Sequence, residues 1–245
     1  MASSSTFSGS AVSATGTLHD FVNRIQVFLN DEGDATWDTE MIATFLNDAI
    51  RDYSQHFPRI KTQTINMADD DNDYPLAADF LGVLSVEYPV GEDPPEYLVR
   101  KNYTDPGFWD CDDYYDIIHN TDDANPDDIW ISADPSSGET ALVTYHAYHQ
   151  LIADPTTPTE TNTVRETHQH LLVLNVQWKA SIHLMNAEQQ SPTSNSSLLM
   201  AQLAQNARRN ELSYHTALQQ AIYADEGRSR HINWTEQNPA VQRIY

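Results

Sequence analysis

The chain has 245 residues and carries 36 Asp and Glu against 13 Lys and Arg, a formal charge of -23. That length suits one large domain or two small ones with a real core, and a hydrophobic fraction of 40% excludes an acidic disordered tail. The charge argues against a general nucleic-acid binder or an anionic membrane surface, and the single cysteine, Cys111, excludes a disulfide framework or a Cys-rich zinc site.

Asp outnumbers Glu by 24 to 12, and only three of the 13 basic residues are Lys. Short, strongly hydrated carboxylates with few lysine stems suit a surface that stays solvated when salt screens its charge. This points to a high-salt host; the alternative is an ordinary acidic surface selected for solubility.

Residues 1–16, rich in Ser, Ala and Thr, read as a flexible arm with no targeting signal. Leu18, Phe21, Val22, Ile25, Phe28 and Leu29 repeat at helical spacing and predict a first helix that stops at Asn30–Gly33. A second begins with Asp38 as N-cap, with Trp37 and Ile42 at the positions of a hydrophobic staple. Its stripe of Met41, Ile42, Phe45, Leu46, Ala49, Ile50, Tyr53 and Phe57 ends at Pro58, so residues 17–59 predict a helical hairpin.

From residue 60 to 150 the period shortens. Runs at 61–67, 81–90, 96–101, 129–132 and 140–148 predict strands, with Asp134–Gly138 as a hairpin loop between the last two. The acidic, aromatic stretch Asn102–Asn125, containing Trp109, Tyr114 and Tyr115, has no readable period.

Helices return over residues 151–226. Thr163 and Glu166 have the spacing of a capping box opening a helix to about Gln190, stopped near Pro192. Leu171–Trp178 is apolar nearly all round and predicts a central position; the densest apolar run, Leu171–Val176, is far too short to span a bilayer, so a soluble protein is expected. A last helix is expected from Ser196 to Ala224, with Gly227 as its stop and 227–245 as an aperiodic tail. The predicted fold class is therefore α+β, mainly α: a bundle of about four helices with a β-rich insertion between the second and third, and extended termini.

Sites of chemistry are weakly marked. His146 and His149 sit three apart on a predicted strand, and His168 and His170 two apart on a helix, so neither pair faces one ion. Asp69–Asp73 resembles the start of a calcium loop, but Tyr74 and Phe80 replace the required Gly and Glu. Cys111 lies among Asp residues, a poor setting for a thiolate. No catalytic, cofactor or metal residue is assigned. A metal- or carboxylate-dependent hydrolase using the His and Asp clusters, and a cellular binding module, are the rival readings.

Several segments nevertheless carry a resemblance. Arg24–Asp31, Trp37–Ile42, Phe45–Asp52 with Pro58, Tyr74–Leu81, Val86–Pro89, Ala141–Tyr145 with His149 and Asp154, and Leu171–Leu172 with Lys179–Ala180, in this order over residues 18–225, resemble the head-to-tail adaptor (connector) proteins of tailed viruses. The resemblance implies a structural virion protein at the neck, forming a ring below the portal that is dodecameric in the usual pattern of such adaptors. Such a ring extends the DNA channel and docks the next neck or tail protein; a stopper or tail terminator is the nearby alternative. It also implies that chain ends reach onto neighbours, which makes Arg228, Arg230, Ile232, Trp234, Arg243, Ile244 and Tyr245 the portal- or subunit-binding candidates, and that Asn102–Asn125 faces the next ring. Acidic walls would let genomic DNA pass without sticking.

Overall fold

A computed structural model describes residues 17–29, 37–68, 71–120, 127–134, 138–154, 160–190 and 196–236. The expectations for the 1–16 arm, the Asn30–Gly33 stop, Asp69 and Asp70, residues 121–125, Pro192 and the end of the tail from 237 lie outside them. The chain divides into two compact units, Met1–His56 with Gln150–Tyr245, and Phe57–His149.

The first unit is helical. Helix α1 (Leu18–Phe28) opens with a capping box: the Thr17 hydroxyl accepts from the Asp20 N–H, and Asp20 accepts from the Thr17 N–H at 3.0 Å. Its Leu18, Phe21, Val22 and Ile25 are buried. Helix α2 (Thr39–His56) is capped as expected, Asp38 accepting from the Met41 N–H at 2.7 Å, and Trp37 and Ile42 are both buried. After a single 3-10 turn at Glu166–His168, helix α3 (Gln169–Gln190) buries Leu171, Leu172, Val173, Asn175, Val176 and Ala180 and packs on both α2 and α4 (Ser196–Glu236).

Two local expectations fail here. Thr163 does not open α3; its hydroxyl accepts from the Gln150 N–H at 2.9 Å, and the helix begins six residues after it. Nor does Gly227 end α4, which continues to Glu236 and makes helix of half the expected tail. Glycine permits a left-handed stop without compelling one, and costs a helix interior only about 1 kcal/mol.

Among the described residues the second unit has seven strands: β1 (Arg59–Asn66), β2 (Asp73–Pro75), β3 (Phe80–Glu87), β4 (Val99–Arg100), β5 (Tyr114–Ile118), β6 (Asp128–Ile131) and β7 (Thr140–Ala147). They form two sheets, ordered β1-β7-β3 and β2-β6-β5-β4. Central β7 pairs antiparallel with both neighbours and buries Ala141, Val143, Tyr145 and Ala147 in strict alternation. These join Val86, Ile117, Ile129 and Ile131 in one core.

The expected mainly helical bundle with a single β-rich insertion is therefore overturned. The strands do not decorate a bundle; they make two sheets with an apolar cluster of their own, inside a separate compact unit. The predicted 134–138 hairpin fails for the same reason, since β6 and β7 belong to different sheets. Gly138 still marks a turn, at φ 97°, where a side chain would be strained.

Candidate interaction surfaces

The stretch with no readable period becomes the most built surface of the β unit. Lys101 leads into a turn in which Asn102 accepts from the Thr104 N–H, and Asp105 accepts from Gly107 and Phe108. The turn drives Phe108 fully into the unit, against Trp109 and Tyr114 at ring distances of 4.8 and 6.4 Å. Trp130, from β6, lies 4.9 Å from Tyr103 and 6.1 Å from Trp109. Trp109 remains 48% exposed, so an aromatic cap stands at the surface with one ring anchoring it.

Charge frames this cap. Buried Asp116 holds the loop base, accepting from the Tyr103 N–H at 3.1 Å and from Arg100 at 3.4 Å. Lys101 lies over the Tyr114 ring at 4.4 Å and 3.8 Å from Asp105. Asp110, Asp112 and Asp113 are exposed beside them. Aromatic rings in an acidic rim can take a protein partner; phosphate would be repelled. Sequence reading picked out Trp109 but missed Trp130 and Tyr103, which folding brings to it from β6 and the far end of the loop.

In the helical unit the notable side chains pin helices together. Tyr214 of α4 donates to Asp52 of α2, which also accepts from Asn175 of α3 at 3.3 Å. Lys179 bridges to Asp48 at 3.1 Å, and Arg165 to Asp225 at 2.6 Å. Burial holds the Tyr214 hydroxyl well above the usual tyrosine pKa, with the Asp52 carboxylate adding to it. A cleft of about 240 Å³, lined by Thr167, His168, His170, Gln220, Ala221 and Asp225 among others, lies in the same unit.

The remaining sequence candidates do not converge. His168 is buried 2.8 Å from the Tyr53 hydroxyl, while the ring of His170 lies 3.0 Å from the Thr167 carbonyl. His149 lies beyond β7, 2.9 Å from the Phe57 carbonyl, and His146 stays within the strand. Among the described residues no three His, Cys, Asp or Glu are grouped to hold a metal ion, and no helix is long and apolar enough to cross a membrane. Arg228, Arg230, Ile232 and Trp234 lie on the last turns of α4; Arg243, Ile244 and Tyr245 lie outside the described residues.

No curated protein matches the chain. The family model of the SU10 adaptor protein, however, matches residues 17–232, a span that enters both compact units. The chain belongs to the SU10 adaptor protein family and is a structural head–tail adaptor of a phage.

Proposed function

We propose that the chain is one subunit of a ring below the portal, which extends the DNA channel and docks the next neck or tail protein. The family match over 17–232 carries this reading. Two features support it physically. The aromatic cap around Trp109, in the β unit, offers a protein-binding surface, and the C-terminal segment supplies a second set of anchors. That segment, from Arg228 to Tyr245, holds three of the ten Arg of an acidic chain together with Trp234, Ile244 and Tyr245, anchor types common at interfaces.

In this reading the C-terminal residues contact the portal or a neighbouring subunit, and the carboxylates repel passing DNA while cations screen the contact. Electron microscopy of the purified chain mixed with its portal tests it. A ring on the portal is expected, and removal of residues 227–245 is expected to abolish the complex. A truncated chain that binds the portal normally removes the C-terminal assignment, and a chain that never joins the portal removes the whole reading.

A further inference from the structure

Helix α4 has two apolar faces, only one of which is used. Ala207, Tyr214, Leu218 and Ala221 are buried. Leu198, Leu212 and Tyr223 are 66%, 69% and 67% exposed. At about 100° per residue, fourteen residues bring Leu212 back to within about 40° of Leu198, and eleven more bring Tyr223 to within about 20° of Leu212. The three therefore form one stripe, roughly opposite the buried face and about 37 Å long.

The charge around this stripe is unusual for the chain. Residues 169–224 contain two of the 36 acidic residues, Glu188 and Glu211, against Lys179, Arg208 and Arg209. The α4 positions flanking the stripe include the exposed amides and small polar groups Gln205, Thr216 and Gln219, and the exposed Arg208 and Arg209 bring positive charge to it rather than negative. A face made for a basic partner would carry carboxylates, and one made for DNA would be densely basic. Depletion of charge is what an interface core requires, and it matters most when both partners are strongly acidic.

We infer that this stripe of α4 is the surface on which a second copy of the chain docks. The inference rests on the ring reading and assigns its subunit contact: two molecules of charge -23 approach through α4, in which Glu211, Asp225, Glu226 and Glu236 are balanced by Arg208, Arg209, Arg228 and Arg230, so that this helix adds almost nothing to their repulsion. Because the repulsion between copies is electrostatic and the contact is not, assembly strengthens as salt rises.

Sedimentation velocity of the full chain between 0.05 and 1 M NaCl tests this, alongside a Leu212→Glu/Tyr223→Glu variant. The wild type is expected to assemble, increasingly so with salt. The variant is expected to stay monomeric at concentrations at least a hundredfold higher, with unchanged circular dichroism because both positions are exposed. Leu212→Met/Tyr223→Phe should restore assembly. A double-Glu variant that assembles like the wild type overturns the α4 assignment and leaves the ring standing. Assembly that weakens with salt overturns the charge-depleted contact. A wild type that stays monomeric in every condition overturns this contact, while the ring itself stands or falls by the portal complex.

Discussion

Asp52 takes hydrogen bonds from two other helices, the Tyr214 hydroxyl of α4 and the Asn175 amide of α3. Removing one donor leaves a carboxylate short of a partner, so Tyr214→Phe is expected to cost about 1–2 kcal/mol in urea unfolding at neutral pH. The tyrosine also sets a pH limit. Burial raises the hydroxyl pKa of Tyr214, Tyr53 and Tyr88 above the ordinary 10.0, with Asp52 adding to the shift at Tyr214 and Glu139 at Tyr88. Unfolded tyrosines lose their protons near 10 while these three keep theirs. Their contribution is thus complete below pH 10 and is lost as pH climbs past 10 toward the folded values. Unfolding free energy should be insensitive to these groups from pH 7 to about 9.5 and fall beyond it, and Tyr214→Phe should make that fall shallower. An identical alkaline limb in the variant would show that this hydroxyl does not titrate with folding.

The loop between β4 and β5 depends on Phe108 at the level of the element. A fully buried ring in a turn held by Asp105 and Asp116 makes the exposed Trp109 a fixed feature. Phe108→Ala is expected to cost about 3–5 kcal/mol and to release the cap, seen as a red shift of tryptophan fluorescence. An unshifted spectrum in the folded variant, with the expected destabilisation, would mean that the cap holds without its anchor. Legibility in the sequence followed the same physics. Helices α1 and α2 were readable because Leu18–Ile25 and Ile42–Tyr53 keep a clean 3.6-residue period, and β7 because it alternates over eight residues. Strand β5 was not, since Asp116 is buried between buried Tyr115 and Ile117 and erases the alternation. Thr163 has the capping-box spacing but caps no helix, whereas Thr17 forms a capping box in which Asp20 replaces the Glu of the usual signature. The exposed stripe of α4 was written in the eleven-residue spacing of Leu212 and Tyr223, hidden by the stronger buried period beside it.

Charge is divided unevenly over the molecule. Residues 57–149 carry 20 acidic residues against four basic, whereas 169–224 carry two against three. Like charges crowded into the β unit repel one another in the folded state more than in the expanded chain, a cost that mobile ions reduce. The screening length falls from about 10 Å at 0.1 M to about 3 Å at 1 M salt, below the spacing of most surface carboxylates. Thermal unfolding in NaCl is therefore expected to shift upward between 0.05 and 1 M by on the order of 5 °C, a gain of about 1–2 kcal/mol. The β unit is the source of the effect if an Asp110→Asn/Asp112→Asn/Asp113→Asn variant, altered at three exposed positions, is more stable than the wild type at low salt and gains less from added NaCl. An equal rise in wild type and variant would assign the effect to general salting-out of apolar surface. A wild-type unfolding temperature that does not move would show that the acidic surface exacts no folding cost, and would leave its composition to be explained by solubility alone.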